Sequence, residues 1–307
     1  MTKAASGSAT PETHQIGFVG LGIMGKSMAR HLMAKGYVLN AYTRTMSKIE
    51  DLLSEGAVWH DTPAAVAAKS DIVITMVGYP KDVEEVYFGS DGQAGILDAA
   101  RPGTILVDMT TSAPSLAAKI AEAAAEKGMA SIDAPVSGGD VGAKNAALSI
   151  MCGGDQAAFE AVLPVFEVMG KAIVLLGPPG AGQHTKMVNQ TVICGTLTGV
   201  AEGMSYAKAA GLDPAKVLDV IGGGAASSFQ LNVLGPKMLA GDYAPGFFAH
   251  HFLKDMTISA GEAEEMGLDL PVLELTKSLF EALLETPEGQ EMGTHGIISL
   301  YDSRRKP

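Results

Sequence analysis

Apolar and polar positions follow two different periods in the two halves of the chain. In the first half, short apolar runs at 16–19, 38–42, 57–59, 71–77, 104–108, 130–133, 148–152 and 172–175 alternate with stretches of helical period. Runs of this length, rich in Val and Ile as in Asp-Ile-Val-Ile-Thr-Met-Val, predict buried strands, and their alternation with helices predicts a mainly parallel sheet. Helices are expected at 26–35, from 62–63 onward where Thr62 caps and Pro63 starts, at 114–127 and at 155–169. The segment Gly177-Pro178-Pro179-Gly180-Ala181-Gly182 then breaks the periodicity. Beyond it the pattern is helical only: a long helix at 183–210, one opening at Asp213-Pro214, and others at 228–239, 251–266, 271–284 and 287–300.

The first strand and helix meet in Gly20-x-Gly22-x-x-Gly25. Strand, glycine turn and helix in that order are what a dinucleotide-binding βαβ unit requires. Gly20 makes the turn, Gly22 lets a pyrophosphate approach the backbone, and Gly25 lets the helix pack on the strand. Leu21, Ile23 and Met24 fill the turn between them, and the helix N-terminus offers free N–H groups. The fold class expected is therefore α/β: a Rossmann-type doubly wound sheet over 14–178, an all-α domain over 179–307 for substrate binding and oligomerisation, and a disordered tail at 1–13.

Composition narrows the chemistry. The 307 residues are 47% hydrophobic and 18% charged, with a net charge of −12. Such a chain buries a full core and is a poor partner for nucleic acid or an anionic membrane, so bound anions must find local cations and helix ends. The two cysteines, Cys152 and Cys194, have no metal-ligand spacing, which argues against a zinc site and for a reducing, cytoplasmic compartment. The first residues lack the apolar stretch of a signal peptide, and no run spans a bilayer.

Candidate ligand residues lie where strands end. An NAD-binding unit places an acid after its second strand; here Thr43-Arg44-Thr45 stands there, a guanidinium between hydroxyls that suits the 2′-phosphate of NADP(H). Val77, Gly78 and Thr111 follow later strands and are either nicotinamide-side residues or ordinary loop residues. Ser137-Gly138-Gly139 exposes backbone N–H groups that can grip a carboxylate, or is a plain turn. Lys186 opens the long helix at the seam between domains, with Asn189 and Gln190 on its face. A free lysine amine, with a pKa of ~10.4, suits proton donation to a developing alkoxide, yet spacing alone does not separate Lys186 from a surface lysine. Lys254-Asp255 is a second cation or a solvated helix face, and periodicity favours the latter. His184, His250 and His251 show no metal spacing.

Taken together, GFVGLGIMGKSMARHL, DAPVSGGDVGA, GPPGAGQHTKMVNQ and FFAHHFLKDM resemble, in this order, the motifs of the β-hydroxyacid dehydrogenases, a family that includes 3-hydroxyisobutyrate dehydrogenase, tartronate semialdehyde reductase and glyoxylate/succinic semialdehyde reductase. The resemblance covers nearly the whole chain. It implies that Gly20, Gly22 and Gly25 hold the pyrophosphate and that Arg44 and Thr45 match an Asn-Arg-Thr pattern of NADP(H)-using members, NAD(H) remaining possible. It further implies that Thr111 lies near the nicotinamide ribose, that Ser137, Gly138 and Gly139 bind the substrate carboxylate, and that Lys186 is the general acid/base with Asn189 and Gln190 as amide partners. Lys254 would close over cofactor and substrate. The substrate implied is a small anionic hydroxy acid or its semialdehyde, and the assembly a homodimer or homotetramer through the helical domain. The chain departs from the family pattern at His31, Thr43, Val77-Gly78, Ala146-Ala147 and Gln190. Two rivals are an imine reductase-like enzyme, whose relatives usually carry Asp or Tyr in place of Lys186, and a non-catalytic NADP-binding module.

Overall fold

Strand lengths and loop positions in the first half follow from one parallel sheet. The computed structural model describes residues 8–303, which divide into two compact units, Met1–Lys186 and Met187–Pro307. In the first unit β1 (Ile16–Val19), β2 (Leu39–Tyr42), β3 (Val58–Trp59), β4 (Ile72–Thr75), β5 (Ile105–Asp108) and β6 (Ala130–Asp133) pair in parallel in the order β3-β2-β1-β4-β5-β6. This is the doubly wound arrangement expected, with the order reversing at β1. The register sets Val19 beside Tyr42 and Thr75, Thr75 beside Asp108, and Asp108 beside Asp133. Neighbouring strands thus end level, and the loops after them leave from one edge.

The sheet continues beyond the parallel strands. β7 (Val136–Ser137) and β8 (Leu148–Gly154) are antiparallel to each other, β8 also pairs antiparallel with β6, and β9 (Gly170–Leu175) pairs parallel with β8. Ser137, expected in a turn, therefore sits at the end of a short strand opposite Ser149. Fully buried Ile16, Phe18, Ile72 and Ile74 show why the strands read as continuous apolar runs. The first helix, Ile23–Ala34, buries Gly25, Met28, Ala29 and Leu32, one stripe of helical period. It begins three residues earlier than the pattern suggests.

One further expectation fails in this unit, and one helix is not foreseen. Residues 1–7 of the expected disordered tail lie outside the described residues, but residues 8–13 are ordered. Ala9 is buried, its N–H donates to the Ala161 carbonyl at 2.9 Å, and the Tyr37 hydroxyl donates to the Ala9 carbonyl at 3.1 Å. Beyond Gly78-Tyr79, where no element is expected, the chain forms the helix Pro80–Phe88. The Asp82 carboxylate accepts the Tyr79 N–H at its start, a local cap that periodicity alone does not reveal.

The helical half opens with the 29-residue helix Ala181–Ala209. The helices Pro214–Ile221, Ala249–Glu265 and Pro271–Leu284 follow near their expected positions. The expected helix at 228–239 is instead a π-helical turn, Gln230–Leu234, leading into the helix Gly235–Ala240; Pro236 lacks the N–H an unbroken helix needs there. The expected helix at 287–300 is broken into 3₁₀ turns, Gly289–Glu291 and Thr294–Ile297, before the helix Ile298–Ser303. Tertiary pairing overrides the pattern there, because the Gly293 N–H donates to the Tyr243 carbonyl at 2.9 Å and Ala249 donates to the Met292 carbonyl at 2.9 Å. Among the described residues no helix is long and apolar enough to cross a membrane.

The core of this second unit gathers Leu197, Met204, Phe252, Met256, Phe280 and Ile297. Phe252 and Phe280 meet edge to face with centroids 5.2 Å apart. Phe280→Ala is expected to cost about 3–5 kcal/mol, read as a lowered urea midpoint for the second unit.

Candidate functional site

The level strand ends collect the chemistry of the first unit along one edge. Gly20 has φ of +97°, and a Cβ there would overlap the Met76 carbonyl. A Cβ on Gly25 would overlap the Gly20 carbonyl and lie 3.0 Å from the Phe18 ring. Both glycines are thus required by backbone packing alone. Gly22 differs, since a Cβ there would meet nothing within 4 Å. It precedes the helix Ile23–Ala34, whose start has no side-chain cap and no acid in its first turn. An uncapped N-terminus beside open space is a place for an anion, so these residues fit a dinucleotide pyrophosphate. Leu21 points into the core, Ile23 is exposed and Met24 is half-buried.

After β2, Thr43 is half-buried while Arg44 and Thr45 are exposed. The Arg44 guanidinium lies 3.5 Å from the Asp82 carboxylate, an ion pair open to solvent on the arginine side. Exposed pairs of this kind are weak, so a phosphate can compete for the guanidinium.

The ends of β4, β5 and β6 are joined by a buried polar network. Thr75 Oγ1 donates to the Asp108 carboxylate at 2.8 Å and lies 3.2 Å from the Tyr87 hydroxyl. The Thr110 N–H also donates to Asp108, at 3.1 Å, and Thr110 Oγ1 accepts the Val77 N–H at 3.0 Å. Burial pushes the Asp108 carboxyl up to about 6, opposed by these hydrogen bonds. Asp133, one strand further, accepts the N–H groups of Gly180 and Gln183 at 2.8 Å each. Burial raises its carboxyl as well, while the backbone N–H groups pull it back. Gly78 and Thr111 are half-buried in the loops this network holds.

Gln183 connects the network to the long helix. Its side-chain amide donates to the Thr110 carbonyl at 2.7 Å and accepts the Ser112 N–H at 2.9 Å. One turn later Lys186 is buried, with its ammonium donating to the Val136 carbonyl at 2.9 Å. Next to Val136 come half-buried Ser137 and then Gly138 and Gly139, with φ of +134° and +62°, a left-handed backbone that suits glycine. The fold therefore brings Lys186 to the base of the Ser137 loop, across 50 residues of sequence.

In the second unit, Asn189 donates to the Gln190 amide oxygen at 2.7 Å, and Gln190 donates to the Asp255 carboxylate at 2.6 Å. The Lys254 ammonium is 2.9 Å from the other Asp255 oxygen. Asp255 is 1% exposed, which overturns the solvated-face reading of Lys254-Asp255. The charge is tolerable because a cation and an amide satisfy it. His250 and His251 pack against Phe248. Among the described residues no group of His, Cys, Asp and Glu is arranged to hold a metal.

Sequence reading missed Asp108, Asp133, Thr110 and Gln183. The available signal was an acid as the last residue of two apolar strands, where a buried parallel sheet has no reason to carry one unless something is bound to it.

Residues 15–177 match the family model described as the NAD binding domain of 6-phosphogluconate dehydrogenase, and 180–301 that described as NAD-binding of NADP-dependent 3-hydroxyisobutyrate dehydrogenase. The chain is 53% identical to the uncharacterized oxidoreductase YkwC of Bacillus subtilis (strain 168), over 93% of this chain and 98% of that protein. It is 40% identical to 2-hydroxy-3-oxopropionate reductase of Escherichia coli (strain K12), over 87% of this chain and 90% of that one. A solved structure of Mycobacterium tuberculosis 3-hydroxyisobutyrate dehydrogenase with L-serine superposes with a TM-score of 0.85 at 27% identity, covering 95% of this chain and 99% of that one.

The Asp108 carboxyl generates a pH dependence of stability. Its folded pKa of about 6 lies above the unfolded value, so its contribution is greatest below pH ~4 and is lost as pH rises through about 6. The stability of the wild type relative to Asp108→Asn is expected to fall by about 3 kcal/mol between pH ~3.5 and ~7, measured by urea unfolding of both proteins.

Proposed function

The chain belongs to the β-hydroxyacid dehydrogenase family and is an NAD(P)-dependent oxidoreductase, and on that premise we propose that Lys186 is its general acid/base, acting on a small β-hydroxy acid or its semialdehyde. The observation that carries this reading is the buried Lys186 ammonium anchored to the Val136 carbonyl at 2.9 Å, beside the Ser137-Gly138-Gly139 loop. Gly20, Gly22 and Gly25 would hold a nicotinamide dinucleotide, which would supply or accept the hydride. Everything else falls to the chain's own groups.

Ser137 and the N–H groups of Gly138 and Gly139 grip the substrate carboxylate, which fixes the carbonyl or alcohol carbon. Lys186 gives its proton to the carbonyl oxygen during reduction and takes it back from the alcohol during oxidation. The Val136 carbonyl holds the ammonium in one orientation, so little reorganisation is needed at the moment of transfer. Val77, Gly78 and Thr111 form the nicotinamide side, and Thr43, Arg44 and Thr45 read the ribose, with NADP(H) preferred over NAD(H). The family motifs that carry Asn189, Gln190 and Lys254 support ligand-binding roles for them, and within the second unit Asp255 holds Gln190 and Lys254 in place.

A small anionic substrate agrees with the names of the relatives, which include a 2-hydroxy-3-oxopropionate reductase. A homodimer or homotetramer is supported by the second unit. Val188, Val192 and Tyr206 are exposed along one helix, and Cβ atoms on Gly199 and Gly203 would meet open space. A cytoplasmic location is supported by two free, buried cysteines whose thiols burial pushes up to about 12.

The reading is tested by NADPH and NADH oxidation with a panel of semialdehydes, glyoxylate and cyclic imines. Turnover confined to the cyclic imines would overturn it. Lys186→Ala is expected to lower kcat by about 10²–10⁴-fold while NADPH still binds, as followed by nucleotide fluorescence. Arg44→Ala is expected to raise KM for NADPH by about 10-fold or more, the value of a charge-assisted hydrogen bond, and to leave KM for NADH nearly unchanged.

A further inference from the structure

Gln183 joins the loop at the end of β5 to the helix carrying Lys186 through two side-chain hydrogen bonds. Its amide nitrogen donates to the Thr110 carbonyl at 2.7 Å and its amide oxygen accepts the Ser112 N–H at 2.9 Å. These bonds bracket Thr111. The residue is fully buried, and its own N–H is held by Asp133 at 2.8 Å. Thr110 in turn receives the Val77 N–H and donates its own N–H to Asp108. A continuous chain of hydrogen bonds thus runs from the loop after β4, through the loop after β5, to a point one helical turn before Lys186.

The chemistry of an amide explains why it stands here. Thr110 offers an acceptor and Ser112 a donor, and only a group with both, in fixed planar geometry, satisfies the two without adding a charge. Two buried carboxylates, Asp108 and Asp133, already flank the position. A third charge would be poorly tolerated, while an apolar side chain would leave a buried N–H and a buried carbonyl unpaired.

We propose that Gln183 is a positioning residue for the reaction: it locks the Thr111 loop to the first turn of the long helix and so sets where the Lys186 ammonium stands relative to the nicotinamide-side loops. This rests on the roles given above to Lys186 and Thr111. It places the rate dependence in a side chain that touches neither substrate nor proton. A shift of about 1 Å between groups that must meet in the transition state costs on the order of 10²-fold in rate.

The experiment compares Gln183→Leu and Gln183→Glu with the wild type in full-length protein. Gln183→Leu removes both hydrogen bonds and is expected to lower kcat by about 10²-fold. The affinity for NADPH, read by fluorescence titration, is expected to change only a few-fold, because the Gly20–Gly25 cradle on β1 is untouched. In the protein without nucleotide, exchange of the Ser112 amide is expected to accelerate by about tenfold, the loss of one hydrogen bond. Gln183→Glu keeps the shape. Protonated, its carboxyl can donate to Thr110 and accept from Ser112; ionised, it loses the donor. Asp133 on β6 accepts its N–H, Asp108 on β5 accepts the Thr110 N–H, Tyr87 meets Thr75 and Cys152 on β8 senses Asp133, while His184 and Lys186 are titratable groups on its own helix. The ratio of variant to wild-type kcat is therefore expected to be highest at low pH and to fall as pH rises. A merely structural role would lower both variants alike and leave that ratio flat and low. The inference is overturned if Gln183→Leu keeps wild-type kcat, or if Gln183→Glu is as slow as Gln183→Leu at the lowest pH. Lys186→Ala run beside them separates the two readings. Full turnover in that variant removes the proposed acid/base, whereas an inactive Lys186→Ala with a fully active Gln183→Leu removes only the staple.

Discussion

Two carboxylates buried at the ends of adjacent parallel strands hold the first unit's chemistry in place. Asp108 and Asp133 stand side by side in register, and each would be intolerable in an apolar sheet without hydrogen-bond donors. Asp133 finds them in the N–H groups of Gly180 and Gln183, which belong to the start of the long helix. Those are among the first N–H groups of a helix, the ones with no partner inside it. The acid satisfies them and in doing so fixes where the helix begins. Lys186 is then delivered to the Val136 carbonyl by helical geometry alone. Asp108 does the same for the loops after β4 and β5, through Thr75 and Thr110.

Close packing around this point leaves little freedom. A Cβ on Gly153 would lie 2.6 Å from the Asp133 carboxylate and 2.7 Å from the Gly182 N–H. On Gly182 it would crowd the Met151 and Asp133 carbonyls. These glycines serve the approach of β8 to the helix start. The Gly-Pro-rich segment is a boundary in the sequence pattern and yet is tightly packed inside the first unit. Such close packing would suit the acid/base role proposed for Lys186, because orientation established during folding does not have to be established again during a reaction.

The two units treat buried charge in different ways. In the first, carboxylates accept hydrogen bonds from backbone N–H groups and a threonine hydroxyl, and burial raises their pKa. In the second, Asp255 is met by the Lys254 ammonium and the Gln190 amide. Both solutions satisfy these buried carboxylates locally, so neither draws on the few cations elsewhere in an acidic protein.

Periodicity by itself determined the parallel sheet, the glycine turn at Gly20–Gly25 and the long helix, because each rests on contacts between residues near in sequence or on one repeating pattern. Four short motifs carried the family and the candidate ligand residues. The tertiary structure alone decided the rest. It ordered Ala9 against Ala161, broke the expected 287–300 helix by pairing Gly293 with Tyr243, and buried Lys254-Asp255. It also placed Gln183 between Thr110 and Ser112, more than 70 residues away. The physical reason is common to all four cases. A hydrogen bond between distant segments leaves no period in the sequence, and the polarity of a residue reveals its partner only after the chain has brought the two together.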